Sequence, residues 1–220
     1  MNQAHFSASL IAADFTQLGE QIQAVLNAGA NSLHFDVMDH HYVPNLSIGA
    51  MVCESIHQHF PDVFIDVHLM VTDPDQYLEP FAKAGASQVS VHPETCPDTT
   101  ATLQHIESLG MRPGVVFNPD QAVALNEAWY PHLKHLLLMS VFPGFGGQKF
   151  IPESVDKIKT ARQQLDQLGL EVSLAVDGGI SPQSVGDCYR AGADFFVVGS
   201  ALLRSDNYAN TIELLNNHCR

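Results

Sequence analysis

Basic residues are scarce in this chain. Lysine and arginine total 10 against 24 aspartates and glutamates, a net charge of -14 with histidines neutral. That balance argues against non-specific binding to nucleic acid or to an anionic membrane surface. It leaves room for a small anionic ligand, because a local nest of backbone N–H groups overrides the global field. Long apolar runs are also missing: no stretch approaches the ~20 residues a membrane helix needs. The N-terminal MNQAHFSASLIAAD has neither a basic region nor a long apolar run, so no signal peptide is expected. The four cysteines, Cys53, Cys96, Cys188 and Cys219, show no CxxC spacing. This excludes the usual redox and zinc motifs and predicts free thiols in a reducing cytoplasm. No linker, low-complexity tract or composition break interrupts residues 1–220, which read as one domain.

What is present is regular punctuation. Ala28-Gly29-Ala30, Ala84-Gly85-Ala86, Leu109-Gly110-Met111, Leu168-Gly169-Leu170 and Ala191-Gly192-Ala193 each close a helix-like segment before a strand-like one. Glycine past a helix end is the expected left-handed cap. Asp73-Pro74, Asn118-Pro119 and Ser181-Pro182 place a capping side chain before a proline and predict helix starts. Between these marks, short apolar or β-branched runs predict strands near 6–11, 32–37, 64–69, 87–92, 113–117, 135–141, 172–177 and 194–198. Helical patterns separate them, for example at 16–27, 75–84, 152–167 and 183–190. Strand–helix alternation repeated through the chain predicts a parallel sheet, and eight units favour a closed (β/α)8 TIM barrel, of class α/β.

In such a barrel the active site is built on the C-terminal ends of the strands. Here those ends carry charge. On the second strand, period two puts His34, Asp36 and Met38 on one face and Leu33, Phe35 and Val37 on the other. On the third, Asp66, His68 and Met70 share a face, and the seventh ends in Asp177. Charge inside a barrel is costly unless it is paired or metal-bound. Imidazoles and carboxylates meeting there suit a divalent ion such as zinc, iron, manganese or cobalt. A hydrogen-bonded polar layer without metal fits the same pattern, and spacing does not decide between them. Glycine clusters end the later strands: Gly144, Gly146 and Gly147 with Phe145 after the sixth, Gly178-Gly179 after the seventh, Gly199-Ser200 after the eighth. One pair alone would be a tight turn. Three in succession point to a phosphate cradle, because barrels often bind phosphate with their last loops.

Six ordered motifs now have a family likeness. SLIAADF at 9–15, HFDVMDHHYVPN at 34–45, DVHLM at 66–70, MSVFPGFGGQ at 139–148, VDGG at 176–179 and GSA at 199–201 resemble ribulose-phosphate 3-epimerases, over nearly the whole chain. The resemblance implies His34, Asp36, His68 and Asp177 as ligands of one divalent metal ion, with Asp36 and Asp177 as the two acid–base carboxylates. It implies substrate contacts at Ser9 and His68. Phosphate-side contacts are implied at Gly144, Phe145, Gly146, Gly147, Gly178, Gly179, Gly199 and Ser200. Met38, Met70 and Met139 are implied to pack near the reacting carbons.

Four positions depart from the family pattern. Ala12 replaces Ser, His40 replaces Gly or Asn, Phe142 replaces Asn, and Ala175 replaces a frequent Glu. The resemblance implies a carbon-3 epimerase of a ketopentose phosphate, with a sugar phosphate as partner and a homo-oligomeric state. The alternatives are an epimerase of a hexulose phosphate such as allulose 6-phosphate, or a non-catalytic sugar-phosphate-binding barrel. The latter would be marked by loss of an aspartate or histidine of the set, and all four are present. A related decarboxylase would need a lysine beside Asp36, and the motif has none. Other histidines read as surface or satisfied residues. His92 ends the fourth strand facing the mouth and stays outside the ligand set.

Overall fold

A computed structural model describes residues 3–220. Eight parallel strands close into a barrel in chain order. They are β1 (His5–Ser9), β2 (Ser32–Met38), β3 (Phe64–Met70), β4 (Gln88–Val91), β5 (Arg112–Phe117), β6 (His135–Met139), β7 (Ser173–Asp177) and β8 (Phe195–Val198). The connecting helices are α1 (Leu18–Asn27), α2 (Ala50–His59), α3 (Asp75–Lys83), α4 (Thr99–Ser108), α5 (Ser154–Gln167) and α6 (Val185–Arg190). After β8 come α7 (Ser200–Leu203) and α8 (Tyr208–His218). No described helix is long and apolar enough to cross a membrane. All four cysteines are free.

The glycine punctuation works as expected. Gly29, Gly85, Gly110, Gly169 and Gly192 all have positive φ. Each sits in the same double closure: at the end of α1, Gly29 donates to the Leu26 carbonyl and Ala30 to that of Val25. The paired bonds satisfy orphan helix carbonyls and turn the chain into the next strand.

The proline-marked helix starts fared less well. At Asp73-Pro74 the helix begins at Asp75, but the Asp73 carboxylate accepts from the Gln76 side chain instead of capping a backbone amide. After Ser181 a turn at 182–184 precedes α6, which begins only at Val185. Asn118-Pro119 starts no helix at all. The β5–β6 connection carries a single 3-10 turn, Glu127–Trp129, capped by Asn126. Its Trp129 packs into the core in place of a helix face. The Asn118 side chain is instead engaged across the barrel mouth, donating to Tyr42 and Glu94.

Two layers of packing follow from strand parity. Outward residues such as Phe35, Val67, Val89, Leu136, Val176 and Phe196 join the helices in the main core. Inward residues divide the barrel interior. Those of β1 to β4 are largely polar and buried: Ser7, Ser9, Ser32, His34, Asp36, Asp66, His68, Gln88 and Ser90. Those of β5 to β8 are mostly apolar, and Val116, Leu137, Met139, Ala175, Phe195 and Val197 form a cluster with Val141 beyond β6. At the N-terminal end of the barrel, the His5 ring stacks on Phe195 at 4.2 Å, and His135 meets the same ring edge-on at 4.9 Å.

Gly114 shows how tight this interior is. A Cβ there would sit 2.3 Å from the Ser90 hydroxyl oxygen and 3.2 Å from the His135 Cβ. Gly114→Ala should therefore cost about 1–3 kcal/mol through overpacking. In a chain of this size each kcal/mol lowers the thermal midpoint by about 2–4 °C. Adding Ser90→Ala should recover part of the loss in thermal melts. An unchanged midpoint for Gly114→Ala would show that β4 and β5 part freely.

Candidate active site

The β2–β3 register builds the centre of the site. His34 pairs with Asp66, Asp36 with His68, and Met38 with Met70. Because the three pairs share one face, imidazole alternates with carboxylate both along and across the two strands. Asp177 arrives from β7, on the far side of β1 and β8. The four groups His34, Asp36, His68 and Asp177 each offer a ligand atom within 4.8 Å of the others.

Their contacts are specific. His34 Nε2 lies 3.4 Å from Asp36 Oδ1 and 4.0 Å from Asp177 Oδ2. His68 Nδ1 lies 3.6 Å from Asp36 Oδ1 and 4.0 Å from Asp177 Oδ2. Neither nitrogen has a hydrogen-bond partner, although both are buried. Tetrahedral ligands about 2.0–2.1 Å from a metal lie about 3.3 Å from one another. Two orphaned imidazole nitrogens facing two carboxylates at nearly that spacing therefore fit a divalent ion. The far nitrogens of both rings are engaged. His34 Nδ1 bonds Asp66 Oδ2 at 2.7 Å, and Asp66 in turn accepts from Gln88 at 2.8 Å. His68 Nε2 meets His92 Nε2 at 2.9 Å.

Electrostatics separate the two carboxylates. Burial alone would push both up. For Asp36 the facing His34 and His68 outweigh burial and hold it well below the usual carboxylate range. Ser9 also donates to Asp36 Oδ2, at 2.7 Å. For Asp177, burial and the Asp36 charge dominate and raise it to about 7. Burial lowers His68 to about 4, whereas Asp36 and Asp66 outweigh burial at His34 and raise it.

Above these groups opens a cavity. Its walls include Ser9, Asp36, Asp177, Met38, Met70 and Met139. They also include Gly144, Phe145, Gly146, Gly147, Gly178, Gly179, Gly199 and Ser200. His34 and His68 do not reach this wall; both are wholly buried behind the carboxylates.

The late glycines serve two ends. At Gly179, with φ 64°, a Cβ would come within 2.3 Å of the Phe150 amide nitrogen, so packing demands glycine there. At Gly146 a Cβ would make only ordinary contact with Ile11, at 3.5 Å. Nothing within the protein crowds that position, so the bare backbone is left to the cavity.

The departures sort by position. Ala12 lines the cavity, but Phe142 and Ala175 do not. Phe142 is exposed, and Ala175 is buried in the apolar half of the interior, where a carboxylate would lack partners. His40 is the one non-glycine residue described with positive φ, at 62°. This is a conformation that glycine and asparagine adopt more easily.

Sequence reasoning aimed Asp66 inward without giving it a task, and it left His92 aside. Tyr42 and Glu94 were not singled out. The parity of Gln88, Ser90 and His92 was the available signal for His92. Contacts from Tyr42 and Glu94 depend on loop conformation and left no periodic trace.

Comparison with known proteins agrees with this geometry. The model of the ribulose-phosphate 3 epimerase family matches residues 5–203. A ribulose-phosphate 3-epimerase of Escherichia coli (strain K12) is 44% identical, covering 97% of this chain and 95% of the relative. One from Synechocystis is 44% identical over 96% and 93%, and one from Bacillus subtilis 43% over 88% and 89%. Among solved structures, 3-hexulose-6-phosphate synthase from Salmonella typhimurium shares the fold, with a TM-score of 0.70, 18% identity and 98% of each chain covered. So does 3-keto-L-gulonate-6-phosphate decarboxylase from Vibrio cholerae, with a TM-score of 0.69, 14% identity and coverage of 99% and 98%. With the motifs, the barrel and the matched relatives in accord, the chain belongs to the ribulose-phosphate 3-epimerase family and is an isomerase.

Proposed function

We propose that the protein epimerises carbon 3 of a ketopentose phosphate, interconverting D-ribulose 5-phosphate and D-xylulose 5-phosphate. The observation that carries this reading is the carboxylate pair. Asp36 and Asp177 share one buried cluster, line one cavity, and are driven apart in acidity. Opposed environments of this kind mark an acid and a base. The name shared by the matched relatives supports the same substrate.

Epimerisation beside a ketone removes a proton from one face of the carbon, gives an enediolate, and returns a proton to the other face. Carboxylates reaching the substrate from β2 and from β7 supply one group to each face. Asp36, ionised, acts as base in one direction while Asp177 donates; the roles exchange in reverse. Ser9 holds the Asp36 carboxyl in place through its 2.7 Å bond. Fixed geometry contributes beyond basicity, because a positioned base needs no further ordering.

His34, Asp36, His68 and Asp177 would hold a divalent ion, and that ion would supply positive charge beside the developing enediolate. Asp66 sets the ring of His34 for this task. Met38, Met70 and Met139 cover the reacting carbons with polarisable surface that donates no proton. The glycine segments after β6, β7 and β8 bring backbone N–H groups to the phosphate.

Four outcomes test this reading. Ribulose 5-phosphate incubated with the metal-supplied protein in deuterated water should acquire label at carbon 3, followed by NMR; no incorporation would overturn the activity. Asp36→Asn and Asp177→Asn should each abolish turnover with the thermal midpoint retained, and near-full activity in either would remove that residue from the acid–base role. Asp66→Asn should weaken metal affinity by about 10–100-fold, the usual cost of losing a carboxylate behind a ligating histidine. Chelator competition measures that loss. Gly146→Ala should raise KM for the phosphorylated substrate while leaving the melting curve in place.

A further inference from the structure

His68 is supported differently from His34. Behind its ring, a chain of hydrogen bonds runs outward to the rim of the barrel. His68 Nε2 meets His92 Nε2 at 2.9 Å. His92 Nδ1 meets the Tyr42 hydroxyl at 2.9 Å. That hydroxyl donates to Glu94 Oε1 at 2.7 Å. Asn118 donates to the same hydroxyl at 2.7 Å and to Glu94 at 3.1 Å, and Gln121 donates to Glu94 at 2.9 Å. His92 has no exposed surface.

The direction of every bond follows from the outer end. Glu94, ionised, can only accept, so Tyr42 gives it its single proton. Asn118 Nδ2 can only donate, so it fills one acceptor position of the tyrosine oxygen. The remaining contact, from His92 Nδ1, must then be a donation to that oxygen. A neutral His92 with its proton on Nδ1 has a bare Nε2, which accepts from His68. His68 therefore carries its proton on Nε2 and keeps a lone pair on Nδ1, the atom that faces Asp36 and Asp177. The opposite tautomer would aim a proton at the metal position.

We propose that Glu94, Tyr42 and His92 are positioning residues that fix the tautomer and ring orientation of His68 as a metal ligand. The proposal rests on the metal-site reading above. It gives the two histidine ligands equivalent supports of different length. His34 is backed by a carboxylate directly, and His68 by a carboxylate three bonds of the relay away.

The test uses the full chain and Co(II) alone, with no substrate. In metal-free protein, long-range nitrogen–proton NMR should show His68 protonated on Nε2. His92→Phe should weaken Co(II) binding, measured by chelator competition, by about 10–100-fold. Tyr42→Phe keeps the ring packed against Met38 and Met70. It should produce a smaller loss, together with a mixed His68 tautomer. His92→Gln, which restores an acceptor, should recover part of the affinity. An Nδ1-protonated His68 in the native metal-free protein would overturn the proposal. So would Co(II) affinities of His92→Phe and Tyr42→Phe within twofold of native. If the native protein bound no Co(II), the metal-site reading itself would fall, whatever the tautomer.

Discussion

The whole site depends on one constraint: charge shut inside a closed barrel must be matched by charge or hydrogen bonds supplied from the barrel itself. The parallel register of β2 and β3 meets it by setting imidazole against carboxylate twice over, His34 with Asp66 and Asp36 with His68. Ser9, Gln88 and His92 saturate the outer atoms of that block. Among the ring nitrogens of His34 and His68, the two that face Asp36 and Asp177 are left without a hydrogen-bond partner. The neutralisation is thus left incomplete at a point where His34, Asp36, His68 and Asp177 could hold a cation.

The polar and apolar halves of the interior explain why two aspartates in one cluster behave differently. Asp36 stands among the histidines and serine of β1 to β3. Asp177 enters from the side dominated by Met139, Ala175 and Val197, where burial and the Asp36 charge raise it. The same residue type, a few ångströms apart, is therefore ionised in one place and inclined to hold its proton in the other.

Much of this was legible in residue order. Period two on β2 and β3 identified the inward faces, because a buried parallel strand has no other way to distribute His34, Asp36 and Met38 against Leu33, Phe35 and Val37. The five glycine caps were legible because their backbone conformation is local. Asn118-Pro119 misled for the converse reason. Its capping chemistry is local, but its side chain is taken by Tyr42 and Glu94, which lie far away in the chain. His92 was visible as an inward residue, yet its partner across the barrel was not, since pairing between side chains of different strands depends on register. Phe142 and Ala175, close to the motifs in sequence, prove to lie off the cavity wall, so proximity along the chain overstated their reach.

The stack of His5 on Phe195, with His135 against the same ring, packs the interior at the lower end of the barrel. A molecule that reaches Asp36 and Asp177 through the cavity they line therefore approaches from the C-terminal mouth, with these rings as the floor far beneath it.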